Sequence, residues 1–479
     1  MYQQSKGDPM SDYNQTATAG QSAAKPNACY LRVPFYLPGF IYKDTTTHVS
    51  QSEREVWWFE GKLEVPEEEV ICSECKCKMH RNQKLNTHLR HVPMGGTFTD
   101  LSVEHYQLRC PKCHATKSQR ITFQAQRHRI TVALYNYTRD LLAEGLNNKR
   151  VATITGLGKN TVKEIDKERL QEYYTIDGKK LRKPEKQARF LGIDEFKLHD
   201  GHKYATHIID LETGHVLWIQ PGKKKQVVYD FIKFVGDEWM KGVKAVTCDM
   251  NADFQKAFIE KCPHLEIVFD HFHVVKNFND KVISEVRKEE QQRLRDSGDY
   301  KAAESLKKSK YILASKRETR KKKDKQADEG RVFRKESVIF NIEQATCKGG
   351  HDERYNVLIG ENKLLFTVDL VKEKLEHAYK AGTVAEMAEE LHEIMDICQA
   401  TGNKHFLWFS NLIESHFNGM VAFAKYRITN STIEGINNKI KTLRRQGYGY
   451  PDDEYFFLKI IDISRMEYDM NPRSHRKCD

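Results

Sequence analysis

No apolar run in the 479 residues approaches the ~18–20 that a bilayer-spanning helix needs. The opening stretch, MYQQSKGDPMSDYNQTATAG, has no apolar segment of the kind a secretory signal requires. It reads as a disordered polar lead-in. Eleven cysteines in a chain of this length do not make a disulfide scaffold. Four of them fall in two CxxC pairs, which points to metal in a reducing cytosol. These absences set aside membrane-embedded and secreted classes and predict a cytoplasmic protein.

What the chain has instead is charge. Mean hydropathy is −0.69 and 30% of residues are charged. The formal net charge is +11. The excess favours a polyanionic partner, and its distribution is uneven. Residues 301–325 carry eleven Lys or Arg against three acids, a run suited to phosphate backbone or to a solvated helix face. The length suits three or four domains at roughly 100–200 residues each.

Cys72-Ser-Glu-Cys75 and Cys110-Pro-Lys-Cys113 are separated by strand-like sequence. Each CxxC turn brings two thiolates to one side of a knuckle, and two knuckles complete a tetrahedral Zn²⁺ site. Four sulfurs leave no position for water, so the site is structural. Cys77 can stand in for Cys75, and His80 or His114 for a sulfur, so spacing leaves the ligand set open.

The segment NNKRVATITGLGKNTVKEIDK has the pattern of a helix-turn-helix. Ala152 sits where the first helix must be small, Gly156 opens the turn, and Val162 and Ile165 anchor the second helix. Lys159, Asn160, Thr161 and Lys163 then lie near the start of the second helix, where recognition residues meet DNA. An ordinary helical hairpin has the same apolar spacing; the basic second helix favours DNA.

RFLGIDEFKL is an apolar strand with an acid inside it, Asp194. A carboxylate there is costly unless paired or metal-bound. A hairpin turning near Glu212-Thr213-Gly214 follows, then an amphipathic helix in QVVYDFIKFVGDEW. KAVTCDMNADF is a short strand ending in Asp249, and LEIVFDHFHVVKNF is another ending in Asp270. This order opens an RNase H-like fold, in which the first strand and the strand after the first helix are neighbours. Asp194 and Asp249 are then expected to face each other.

A third acid, Glu434, begins a helix in NSTIEGINNKIKTLRRQGYGY. Glu434, Asn438, Lys441 and Arg445 fall in one stripe about 60° wide, with Ile433, Ile436, Ile440 and Leu443 on the packed side. The stripe suits a metal ligand whose helix then tracks a DNA backbone. Three carboxylates can hold two Mg²⁺ or Mn²⁺ ions for in-line phosphoryl displacement. Glu195 and Glu414 are weaker rivals, since Glu195 points to the opposite strand face from Asp194. Within 364–398, Leu364, Val368, Val371, Leu375 and Ala378, then Val384, Met387, Leu391, Ile394 and Cys398, recur at helical spacing and predict core packing.

The paired CxxC, VATITGLGKNTVKEID, FLGIDEFKL, VTCDMNADF, FDHFHVVKNFN and IEGINNKIKTLRRQGYGY together resemble the ISL-three family of bacterial insertion-sequence transposases, over roughly residues 70–465. The resemblance implies a DDE catalytic domain with Asp194, Asp249 and Glu434 as ligands of two Mg²⁺. It implies recognition of terminal inverted repeats, and supports a place near the site for Asp270, His271 and His273. Pairing of two DNA ends implies a homodimer, and DNA binding implies nucleoid association. The expected division is an irregular lead over 1–55, a zinc ribbon over 56–125 and a helix-turn-helix over 126–180. An RNase H-like domain follows, split into 188–280 and 429–468 around a helical insertion at 281–428, with a tail at 469–479. Two other readings compete: a DNA-binding regulator with an inactive RNase H-like domain, and a nuclease that cuts without joining. Intact acids oppose the first, and a separate end-recognition module opposes the second.

Overall fold

The computed structural model describes residues 35–49, 55–64, 70–250, 252–307, 309–330, 332–336, 342–346, 349–360, 362–447 and 449–466. They form two compact units. One holds the described residues up to Thr138 together with Thr153–Leu157. The other holds Arg139–Ala152 and the described residues from Gly158 on.

The first unit is built on strands β1 (Phe40–Val49), β2 (Glu55–Leu63), β3 (His80–Met94), β4 (Thr97–Arg109) and β5 (Thr116–Ser118). Their order is β1-β2-β4-β3, with β5 added to β4. Phe59, Leu63, Leu89, Leu101 and Val103 make its core. Residues 40–49, expected to be irregular, are a strand paired with β2 from Phe40↔Leu63 to Val49↔Glu55. The reason is local: FIYKDTTTHV is rich in β-branched and aromatic residues. Helices α1 (Val132–Ala143), α2 (Asn148–Thr155) and α3 (Lys159–Tyr174) come next, then a small hairpin of β6 (Thr175–Ile176) and β7 (Lys180–Leu181).

The second unit holds β8 (Phe190–His199), β9 (Lys203–Asp210), β10 (Val216–Pro221), α4 (Lys225–Val235), α5 (Asp237–Met240), β11 (Ala245–Cys248), α6 (Ala252–Lys261) and β12 (Glu266–Val268). The sheet order is β10-β9-β8-β11-β12. The first three strands are an antiparallel meander, while β11 runs parallel to both β8 and β12. Strand alternation splits the sheet into two packed faces. Leu191, Ile193, Ile208, Val246 and Cys248 point to a core that includes Val228 and Phe231 of α4 and Phe254 and Phe258 of α6. Leu198, Ala205, Ile209 and Ile219 point to the other face.

Between β12 and the last two helices lie α7 (His271–Asn277), one π-helical turn (Phe278–Ile283), α8 (Ser284–Asp296), α9 (Tyr300–Ser305), α10 (Lys310–Ala314) and α11 (Arg317–Asp328). A hairpin of β13 (Val332–Glu336) and β14 (Ile342–Thr346) precedes α12 (His351–Gly360), α13 (Lys363–Lys380), α14 (Val384–Ala400) and α15 (Lys404–Tyr426). The hairpin is an addition to the mostly helical insertion expected here. Val368, Val371, Leu375, Ala378, Met387, Leu391, Ile394 and Cys398 are buried as their spacing predicts. Leu365 takes the buried place expected of Leu364, and Val384 is exposed at the start of α14, where Thr383 and Glu386 form a reciprocal cap. The chain then returns as α16 (Ser431–Gln446) and α17 (Asp453–Arg465), which cover the second face of the sheet.

Candidate active site and metal centre

Asp194 lies in β8 and Asp249 follows β11. The parallel register pairs Ile193 with Cys248, so the two acids come next to each other on neighbouring strands. Alternation turns both away from the face that buries Ile193 and Cys248. Burial raises the Asp194 carboxyl above its ordinary value, and the charge of Asp249 adds to the rise against bonds from the Glu195 amide and Asn437. Asp249 is held below its ordinary value, chiefly by His273, whose Nδ1 lies 3.1 Å from Asp249 Oδ1. Burial works against charge on His273, but Asp249, Asp194 and Asp270 outweigh it and raise its pKa.

Helix α16 crosses this pair on the second face of the sheet. Its first residues are pinned to the strands: the Thr247 hydroxyl donates to Asn430 Oδ1 over 2.5 Å, and the Asn430 amide donates to Asp270 Oδ2 over 2.9 Å. Its first turn closes onto β8 because position 192 is glycine. A Cβ there would lie 2.6 Å from Ile433 Cδ1 and 2.8 Å from Leu211 Cδ2. One turn on, the Asn437 amide donates to Asp194 Oδ2 over 2.7 Å. Near its end the Arg444 guanidinium donates to the carbonyls of Lys197 and Leu198. Ile433, Ile436, Ile440 and Leu443 are buried as expected. Each such side chain contributes about 1.5–3 kcal/mol by leaving water.

Glu434, Asn438, Lys441 and Arg445 all lie on the exposed flank of α16. The three carboxylates do not close into a compact cluster; among the described residues, the one set of potential ligands meeting within 4.8 Å is the four thiols. The polar contact to Asp194 comes from Asn437, which sequence reasoning did not single out. The signal was present: Asn437 borders the apolar stripe, whereas Asn438 is on the solvent side. Asn437 Oδ1 is buried without a hydrogen-bond partner. An orphaned oxygen on the amide that holds Asp194, with Asp249 on the neighbouring strand, fits a divalent cation held by oxygen donors.

The near-site trio separates. Asp270 is buried and anchors the start of α16. His273 sits on Asp249. His271 instead stacks edge-on against Tyr379 of α13 at 4.8 Å, and burial lowers its pKa. Glu195 lies on the opposite face from Asp194 and Glu414 is exposed on α15.

In the first unit the four cysteines converge. Sγ separations are 3.5 Å for Cys72–Cys113, 3.2 Å for Cys75–Cys110 and 3.7 Å for Cys75–Cys113. Zinc at about 2.3 Å from each sulfur in a tetrahedron needs sulfurs about 3.8 Å apart. The two knuckles repeat one backbone design. Cys72 N donates to Cys77 O and Lys76 N to Cys72 O; Cys110 N donates to Ala115 O and His114 N to Cys110 O. Lys76 and His114 are both left-handed, at φ 57° and 59°. Cys77 therefore occupies the place of Ala115, outside the cluster, and its thiol donates to the Cys75 carbonyl. His80 and His114 are likewise outside it.

The expected recognition residues divide. Lys159 and Asn160 are exposed at the start of α3, and Thr161 is half-buried. Lys163 is engaged: its Nζ lies 3.2 Å from Asp452 and 5.4 Å from the Tyr455 ring centre. The cause is tertiary, because α3 packs on α17 through a buried polar network. Arg169 donates to Asp462 Oδ2 over 2.7 Å and to Asp166 Oδ1 over 2.9 Å. Tyr455 donates to Asp166 over 2.6 Å, and Lys459 pairs with it at 2.9 Å.

A family whose sequence model is described as "Transposase", of the ISL-three type, matches residues 191–460. That span is more than half of the chain and contains Asp194, Asp249 and Glu434. This chain belongs to the ISL-three family of insertion-sequence transposases. The transposase for insertion sequence element IS1001 of Bordetella parapertussis is 28% identical over 393 residues, 82% of this chain and 88% of that one. Transposases for insertion sequence element IS1557 from two strains of Mycobacterium tuberculosis are 31% identical over 87 residues, 18% of this chain and 20% of theirs. No helix among the described residues is long and apolar enough to cross a membrane.

Proposed function

We propose that this family member is a DDE transposase that binds the terminal inverted repeats of its element and catalyses metal-dependent DNA cleavage and strand transfer. The carrying observation is the juxtaposition of Asp194 and Asp249 on parallel neighbours β8 and β11, with α16 seated across them. The meander, crossover helix and parallel strands support an RNase H-like catalytic domain. Asp194, Asp249 and Glu434 are the assigned ligands of two Mg²⁺, or Mn²⁺. When bound, the metals activate a water or 3′-hydroxyl and stabilise the leaving oxygen.

The protein's own groups prepare that site. Asn437 orients the Asp194 carboxylate, and His273 holds Asp249. Thr247 and Asp270 fix the start of α16, so that Glu434 is carried on a helix whose register is set by the strands. Lys441 and Arg445, further along the exposed flank, contact the DNA backbone. The four-thiol cluster holds one structural Zn²⁺ in a zinc ribbon, and α2–α3 serve as a helix-turn-helix with Lys159 and Asn160 toward DNA. Two ends are paired by a homodimer. Purified protein, Mg²⁺ and labelled DNA carrying the element's ends test the reading. Cleavage followed by strand joining is expected; binding without cleavage points to a regulator, and cleavage without joining to a nuclease.

A further inference from the structure

We infer that the outward face of α11 is a second DNA-backbone surface, separate from α3 and α16. The inference rests on the DNA-transposase reading. Helix α11, RETRKKKDKQAD, is too polar to be held by apolar packing, yet it is firmly seated. Arg320 is buried at 5% exposure. Its guanidinium lies 3.4 Å from the Tyr355 ring centre, donates to Asp352 over 2.9 Å and to the Ser315 carbonyl over 2.8 Å. One turn later, Asp324 accepts from the backbone amides of His351 and Asp352, over 2.8 and 2.9 Å, and pairs with the His351 ring at 2.9 Å. Positions 320 and 324 share one helix face, so these bonds lock it against α12.

Locking that face leaves the rest of the helix surface to the other charges. Arg317, Lys321 and Lys325 recur every fourth residue, about 6 Å apart along the axis, on one flank; Lys322 lies opposite the locked face and Lys323 on the other flank. Arg317, Lys321, Lys322 and Lys323 are exposed, and none has an acidic partner among the described residues. Lys325 is 4.0 Å from Glu329, and Glu318 and Asp328 are the exposed acids of the helix. Exposed cations without acidic partners, Arg317 and Lys321–Lys323, on a helix fixed by ion pairs form a rigid polycation that suits a phosphate backbone. The basic run in the sequence therefore has a structural division of labour: Arg320 and Asp324 hold the helix, and the other cations face outward.

The test measures binding of the full chain to a plain duplex across a salt series, for the wild type and for a Lys321→Gln, Lys322→Gln, Lys323→Gln variant. The variant should bind more weakly and lose about 0.9 of the slope of log K against log salt for each phosphate contact removed. Its melting temperature should match wild type, because the three side chains are exposed. Lysine acetylation of the wild type with and without duplex gives an independent readout, with Lys321–Lys323 expected to be protected by DNA. An unchanged slope, or acetylation unaffected by duplex, overturns the proposal. Wild-type protein that binds no duplex at any salt overturns the parent reading instead.

Discussion

The side-chain amide of Asn437 donates to Asp194 Oδ2 over 2.7 Å, joining the middle of α16 to the middle of β8. The helix that carries the third acid is thereby placed by a bond to the first. Cleavage should respond to both ends of it. Asp194→Ala and Asp249→Ala should abolish single-turnover cleavage with end binding largely kept, and Glu434→Gln should do the same with little change in melting. Asn437→Ala should slow cleavage about 10–100-fold, from loss of a hydrogen bond to a charged group worth ~1.5–3 kcal/mol. Wild-type cleavage by Glu434→Gln with Mg²⁺ would move the third ligand elsewhere, with Glu414 the next candidate.

Gly192 sets how closely α16 approaches the sheet. Gly192→Ala inserts a methyl 2.6 Å from Ile433 Cδ1. Overpacking of this kind costs about 1–3 kcal/mol. Melting should fall accordingly, and Ile433→Val in the same chain should recover part of it. Independent, additive effects of the two substitutions on the melting temperature refute the close contact.

Metal analysis of protein purified without chelator should find about one zinc per chain. Cys110→Ser should lose it and destabilise the first unit, whereas Cys77→Ser should retain it, because Cys77 lies at the place of Ala115 in the repeated knuckle. Loss of zinc from Cys77→Ser shows that the ligand set is wrong.

The two lysines of α3 should behave differently. Lys159 is exposed, so Lys159→Ala should weaken binding to end-containing DNA and lower the salt slope by about 0.9. Lys163 is occupied by Asp452, so Lys163→Ala should leave the slope unchanged and cost at most about 1 kcal/mol of stability. Equal loss of slope in both variants shows that Lys163 leaves Asp452 to reach phosphate.

Arg169→Ala should destabilise the second unit by about 3–5 kcal/mol, because it leaves buried Asp462 without its cation while Asp166 keeps Lys459. The same network predicts acid lability. Burial opposes ionisation of Asp166, but Lys459 and Arg169 outweigh it and hold the carboxyl below its ordinary value. A depressed folded pKa contributes stability above the unfolded value, about 3.9, and loses it as pH falls toward the folded one. Melting temperature should therefore drop below about pH 4. A wild-type melting curve flat down to pH 3 contradicts this.

Much of this protein was decided locally and was legible in the residue order. Doubled CxxC spacing, strand alternation around Asp194 and the apolar stripe of α16 are short-range patterns, and the thiol cluster, the neighbouring β8 and β11 and the buried Ile433, Ile436, Ile440 and Leu443 follow them. The strand at 40–49 is equally legible in its β-branched run, against the irregular lead that its polar surroundings suggest. Other features depend on contacts between distant segments. Helical angle puts Asn437 at the border of the apolar stripe, but only the seat of α16 on β8 brings its amide to Asp194. Lys163 reads as a recognition residue until α17 brings Asp452 to it. Composition alone left the charges of α11 equivalent, and only packing on α12 turns Arg320 and Asp324 inward and its neighbours outward. The physical reason is range: periodicity reports which side of an element is apolar, whereas the partner of a polar group is set by whichever segment the fold places opposite it.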